Sequence, residues 1–447
     1  MSTLFSTNPS PPPLEDLRNK IHFPFSSSVL AQSRVERIVF LCAWLCVFNF
    51  SFSEAVKEIS LTVGFVFSLV LVGHHGWKAY LARIVPWTWP FALFVSLSFA
   101  SGIHSINTFE GLRGAWGDFE TLMGLVLFSS AIGLSDRKGE VFRGLFVALL
   151  GGLLAGGCLS LWEMGHYHKE NLGIMNLGDK NSSAQFLSYV SILVFFFQAN
   201  KSRLSLPYAA FPISYALIAV LLYFCHSRTF ILTIPFFLLL MILILKWWKT
   251  LIAWVAALFV LLGLSLVNPF FKWEITSILR PTADGSFESR YPTWEGAIRM
   301  WKAHPLLGVG PDNFHMPNIH KIYNLPEYAS HGHNIFFNLL GEYGSLGVLS
   351  FSLWVAVWGI LTVRSVRKKE LPLISLALYI GLMADLVTSG IAHPMWGGTG
   401  SLAIMLILAT AMNARIGSNA PTLSNGQTDS GLSPAGPFQN TTTRENR

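Results

Sequence analysis

Long apolar runs separated by short polar connections dominate the chain and set the first expectation about its fold. A hydrocarbon core about 30 Å thick takes roughly 20 apolar residues per helix. Runs of that kind lie near 38–53, 58–73, 84–101, 120–134, 143–162, 182–199, 207–225, 229–246, 250–267, 334–363, 371–388 and 398–413, which predicts twelve spans. The run at 334–363 is longer than one span needs, so its first turns are expected to lie outside the hydrocarbon. The chain thus reads as an all-α polytopic integral membrane protein. Its expected parts are a tail over 1–37, nine spans over 38–267, a hydrophilic loop of 66 residues over 268–333, three spans over 334–413, and a tail over 414–447. The last tail is rich in Ser, Asn, Thr, Gly and Pro and reads as disordered.

Composition agrees. The chain is 52% hydrophobic and 12% charged, with a mean hydropathy of +0.49, against about 25% charged residues in soluble domains. The net charge of +7 could suggest nucleic acid, but the basic residues sit in membrane-flanking connections instead. One set of connections, with both tails, holds 20 of the 31 lysines and arginines. Basic residues mark the cytoplasmic side, so both termini are expected there and the 268–333 loop outside. Residues 1–33 are polar and Pro-rich, which reads as a cytoplasmic tail and not as a cleaved leader. Trp87, Trp89, Trp247 and Trp248 fall near predicted span ends, where interfacial aromatics belong. Cys42, Cys46, Cys158 and Cys225 lie in or at the ends of apolar runs, with no spacing for zinc or a disulfide framework.

Polar residues gather on the outward face, in 102–119, 163–181, 226–228, the long loop and 389–399. Within the long loop, 290–303 predicts an amphipathic helix with Ala297, Ile298 and Trp301 on one face and Trp294 beside them. Arg299 and Lys302 lie off that stripe. The helix is expected to rest on the membrane or on the tops of the spans. HPLLGVGPDNF follows as a turn-rich connection.

His333 stands where an apolar helix begins, on the outward side. A neutral imidazole there can take a proton from a hydroxyl, or it can simply satisfy backbone groups at the helix start. His331 makes an H-x-H pair with it, a weak metal signal without nearby carboxylates. Arg228, at the tight turn CHSRTF, can either snorkel to the interface or clamp a diphosphate, whose oxygens its planar fork matches. Arg290 opens the amphipathic helix. Arg113, Lys180 and Arg299 are further outward cations, each expected to be solvated. No Asp-x-Asp cluster for a divalent ion, Walker loop or dinucleotide glycine pattern is present, so no metal and no cofactor are expected. Asp385 is almost the only acid inside the spans, whereas ion-coupled transporters place several ionisable groups at mid-membrane.

Three stretches together resemble the O-antigen ligase superfamily of bacterial inner-membrane proteins: SRTFILTIP after the seventh span, SRYPTWEGAIRMWKAHPLLGVGPDNF in the loop, and HGHNIFFNLLGEYGSLG leading into the next span. The last matches that family's spacing of His333, Asn334, nine residues, Gly344, two residues, Gly347. Where members often carry threonine after the second glycine, this chain has Val348. The resemblance implies a GT-C-type glycosyltransferase whose long periplasmic loop contains short helices. It implies transfer of a finished glycan from undecaprenyl diphosphate to the lipid A–core oligosaccharide, without metal or nucleotide. It makes His333 the catalytic base and Arg228 and Arg290 the diphosphate ligands, with Asn334, Arg113, Lys180, His331 and Arg299 as lesser candidates. The same donor serves O-antigen polymerases and protein O-oligosaccharyltransferases, and these remain open alternatives. A lipid-linked sugar transporter fits less well, because no paired broken helices or internal repeat is visible.

Overall fold

The computed structural model describes residues 34–168, 172–174, 177, 180–225, 227–248, 250–252, 255, 259, 263, 290–327, 329–390 and 398–414. The tails, most of the predicted run at 250–267, and the first part of the long loop, 264–289, lie outside those residues. Among the described residues every regular element is a helix. Apart from a single helical turn at Lys201–Leu204, they are in chain order α1 (Arg34–Phe48), α2 (Glu54–His75), α3 (Trp77–Ile103), α4 (Thr108–Gly133), α5 (Lys138–His166), α6 (Lys180–Ala199), α7 (Ala210–Cys225) and α8 (Arg228–Ile244). After the loop's first part come α9 (Tyr291–Ala303), α10 (Pro317–Tyr323), α11 (Ile335–Arg367), α12 (Leu373–Gly390) and α13 (Gly398–Met412). Helices α1–α8 answer to the first eight predicted runs and α11–α13 to the last three.

Among the described residues five helices are long and apolar enough to cross a bilayer: α2, α3 from Ile84 onward, α5, α6 and α11. Ala210–Cys225, Thr233–Ile244, Leu373–Val387 and Thr399–Met412 are apolar but shorter. The chain is a multi-pass helical membrane protein.

One expectation needs correction. Residues 108–119, read as an outward loop, are the first turns of α4. Their polar groups have protein partners: Gly114 lies against Pro311 and Asp312, and Asp118 is buried at 1% exposure, accepting from Ser98 Oγ and Tyr343 Oη. Trp87, within the first turn of the apolar stretch that starts at Ile84, packs on Trp358 with ring centroids 4.8 Å apart.

Side-chain register orders the bundle. Helices α3 and α11 are antiparallel, because Trp87, Phe91 and Phe94 pair in turn with Trp358, Trp354 and Phe351. α4 and α13 are parallel, since Thr121 meets Ser401, Gly124 meets Leu402 and Gly133 meets Asn413. Ser375 Oγ on α12 donates to the Ala411 carbonyl of α13 at 2.9 Å, so those two are antiparallel. Ser188 of α6 donates to Asp385 of α12, and Ser227 at the head of α8 donates to Asn181 at the head of α6 at 3.0 Å. The starts of α4, α6, α8, α11 and α13 therefore share one end of the bundle with the finish of α3 and α12. Buried Lys57, at the head of α2, pairs with Glu54 and donates to Thr399 Oγ1 at 3.0 Å, joining that end too.

The described part of the long loop has a small core of its own. Ala297, Met300, Val309, Phe314, Ile319, Tyr323, Leu325 and Ala329 are buried together, with Met316 and Phe337 against them. The buried face of α9 is Thr293, Gly296, Ala297 and Met300. Of the predicted stripe only Ala297 is fully buried. Trp294 and Trp301 lie at its flank, because the helix is held by α11 on one side and by Leu325 on the other.

Candidate functional site

The segment His331–Asn338 is a tight turn running into α11. Asn334 is the helix cap: its Oδ1 accepts the amides of Phe336 at 2.8 Å and Phe337 at 3.3 Å. Two of the four orphan donors of a helix start are thereby satisfied. The capping duty that the sequence left open for His333 thus falls to its neighbour. His333 adopts φ 46°, a left-handed conformation uncommon for a non-glycine residue. Its ring stands edge-on to that of His331, with centroids 4.2 Å apart, and its amide donates to His331 Nδ1 at 3.4 Å.

Ten residues further on, α11 breaks. Gly344 has φ 65° and ψ −164°, and the helix resumes beyond it. A break frees carbonyls before it and amides after it, and in a buried setting each needs a partner. The HPLLGVG segment supplies them. Val309 and Gly310 donate to the carbonyls of Gly341 and Glu342 at 3.0 and 2.9 Å, while Ser345 and Leu346 donate to those of Pro305 and Leu306 at 2.9 and 3.1 Å. Ser101 Oγ of α3 adds a bond to the Leu307 carbonyl at 2.6 Å. Backbone meets backbone here, so side chains must be absent: a Cβ on Gly344 would sit 2.5 Å from the Leu306 carbonyl, and one on Gly308 2.4 Å from that of Glu342. The glycines of both motifs are two halves of one clasp.

Helix α9 lies along the first part of α11, and the two run parallel. Trp294 stacks on Phe337 at 5.3 Å, Ala297 and Met300 face Gly341, and Trp301 Nε1 donates to Ser345 Oγ at 2.9 Å. Arg290 is the residue before α9. Arg299 serves the loop itself: its guanidinium donates to the carbonyls of Tyr323 at 2.7 Å and Asn324 at 2.9 Å, closing the end of α10, and pairs with Glu295 at 3.0 Å.

The other candidates lie at the same end of the bundle. Arg228 is the first residue of α8 and Lys180 the first of α6, joined through the Ser227–Asn181 bond; the Arg228 side chain lies outside the described residues. Arg113 is 72% exposed on α4 and faces Glu110 at 3.6 Å. The structure thus keeps His331, His333 and Asn334 together at the start of α11 and sets Lys180 beside the head of α8.

Sequence reasoning passed over a buried polar layer beneath this end. Glu342 is 5% exposed; its carboxyl accepts the Phe314 amide at 3.0 Å and Asn338 Nδ2 at 2.8 Å. Asp312, in the loop, has its carboxyl raised above the usual range by burial, a rise that His315 opposes and Glu110 reinforces. Nothing in the sequence around Asp118 or Glu342 distinguishes them from solvated acids, since their partners are remote in the chain. Among the described residues no three His, Cys, Asp or Glu side chains are grouped to hold a metal ion.

Fold and site define a polytopic helical membrane protein whose loop is clasped into a broken helix, with histidines and cations at the same end. Residues 213–352 match the protein-family model described as O-antigen ligase. This segment takes in Arg228, Arg290, His333 and both motif glycines, and it is this part of the chain that is similar to the O-antigen ligase family. No curated protein matches the chain.

Proposed function

We propose that the protein is an O-antigen ligase: it transfers O-antigen polysaccharide from undecaprenyl diphosphate to the lipid A–core oligosaccharide, on the periplasmic face of the bacterial inner membrane. In this reading the chain has twelve spans, a GT-C-type architecture and cytoplasmic termini, and membrane lipids are its remaining partners. The observation that supports the proposal is the match of residues 213–352 to the family model described as O-antigen ligase, a segment that holds Arg228, Arg290 and His333.

The chemistry needs two things. The acceptor hydroxyl must lose a proton as it attacks the anomeric carbon, and His333 Nδ1 or Nε2 takes it. The departing diphosphate gains negative charge, and Arg228 and Arg290 meet that charge as it grows. Two guanidinium groups nearby also disfavour imidazolium, which keeps the ring a base. Attack and departure in one displacement invert the anomeric configuration. Charge balance comes from arginine, so the reaction runs without metal.

Purified protein is to be incubated with lipid-linked glycan and separate acceptors. Glycosylated lipid A–core as the sole product supports a ligase, whereas chain extension or a glycosylated serine or threonine moves it to the polymerase or protein-transferase branch. His333→Ala should lower transfer by about 10²–10⁴-fold, the usual contribution of a positioned base. Full transfer by that variant removes the base assignment. Arg290→Gln should weaken donor use, and unchanged donor kinetics would remove Arg290 from the clamp.

A further inference from the structure

Between the clasp and the histidine turn runs an unbroken set of hydrogen bonds. The Phe314 amide, in the loop just past the clasp, donates to Glu342 Oε1 at 3.0 Å. Asn338 Nδ2 donates to Glu342 Oε2 at 2.8 Å. Asn338 Oδ1 in turn accepts the amide of Gly332 at 3.0 Å, one residue ahead of His333. Gly332 is pressed so closely on this helix that a Cβ there would lie 2.9 Å from the Asn338 amide nitrogen. A carboxyl is an expensive way to fill a buried position when it only packs. Here both of its oxygens are used, one by the loop at Phe314 and the other by Asn338, which holds the turn.

We infer that Asn338 and Glu342 are positioning residues: together they set the conformation of the His331–His333 turn and couple it to the clasped loop. The catalytic meaning of this rests on the reading of His333 as the base. Neither side chain touches the reacting atoms; each acts through the turn. The left-handed backbone at His333 is the conformation they maintain. A loop displaced at Phe314 would loosen Glu342, then Asn338, then the turn.

The bond pattern provides its own test, because donor and acceptor can be exchanged. Glu342→Gln leaves one carbonyl oxygen to serve two donors. Asn338→Asp sets two carboxyl groups face to face and removes the donor between them. The double variant restores every bond. Its new amide on the Glu342 side would donate across to the new carboxylate and accept from Phe314, while that carboxylate would still accept from Gly332. Two readouts are taken on the purified full chain, steady-state transfer with lipid-linked donor and hydrogen–deuterium exchange across 331–338. Each single variant should lower kcat by about tenfold or more, with donor KM little changed, as loss of one buried hydrogen bond predicts. Exchange at the turn should quicken. The double variant should recover both. Wild-type exchange in both single variants, or a double variant no better than the worse single one or unable to fold, overturns the inference. Full transfer by His333→Ala alongside rescued exchange would remove the base reading and leave the positioning of the turn standing.

Discussion

At the start of α11 two adjacent residues divide the work. Asn334 satisfies the helix with its side-chain oxygen, and its extended backbone is the conformation a cap requires. His333, beside it in a left-handed conformation, sets its imidazole edge-on to that of His331. The two are therefore separable by mutation. Asn334→Ala should cost about 0.5–2 kcal/mol of stability, the usual loss for a cap, read as a lower melting point in detergent. His333→Ala should leave the melting point near wild type while abolishing most transfer. Equal loss of stability in both variants would mean that the ring also holds the helix start. Arg299 shows the opposite outcome for a candidate cation. Its fork is engaged by two carbonyls at the end of α10 and by Glu295, so the loop's own fold accounts for it.

The break in α11 is what lets a loop and a membrane helix become one element. An intact helix would bury its carbonyls in itself and offer the loop only side chains. With Gly344 outside helical conformation, four backbone bonds pass to the Pro305–Gly310 segment, and α9 is drawn into line along the first part of α11. Gly344→Ala tests this. A Cβ there meets the Leu306 carbonyl at 2.5 Å and the residue is held at φ 65°, so the clasp must open. Strained backbone of this kind costs on the order of 1–3 kcal/mol by itself. The variant should expose 304–316 to limited proteolysis and lower transfer, whereas Gly165→Ala, where a Cβ would meet nothing within 4 Å, should do neither. Proteolysis and transfer at wild-type levels in Gly344→Ala would show that the clasp is dispensable.

Across the whole molecule, helix register assigns each polar group to an end. The heads of α4, α6, α8, α11 and α13 carry the histidines, Arg113, Lys180 and Arg228. The opposite end carries Arg137 before α5 and Lys138 as its first residue, Arg364 and Arg367 in the last turn of α11, and Lys368 and Lys369 after it. By the positive-inside rule the basic end belongs in the cytoplasm. Single cysteines introduced as Lys302→Cys and Lys369→Cys, both at exposed positions, with exposed Cys158 replaced by serine, should label differently in intact spheroplasts. The first should react with a membrane-impermeant maleimide at once, the second only after lysis. The reverse pattern would turn the site toward the cytosol and exclude a periplasmic ligase.

Among the described residues the amino-acid sequence by itself determined the apolar helices α1–α8 and α11–α13 and their approximate places, because burial in lipid demands apolar runs of a fixed length and punctuates them with charge. It also supplied the candidates for the site, since the spacing from His333 and Asn334 to Gly344 and Gly347 is written in side chains. Tertiary structure alone decided which of those residues does what. That Asn334 caps, that Gly344 breaks its helix to admit Gly308, that α9 lies parallel to α11, and that Asp118 and Glu342 are buried with partners all depend on bonds between segments far apart in the chain. Most of those bonds join backbone to backbone or backbone to a single side chain, and such groups look the same in every residue until the fold brings them together.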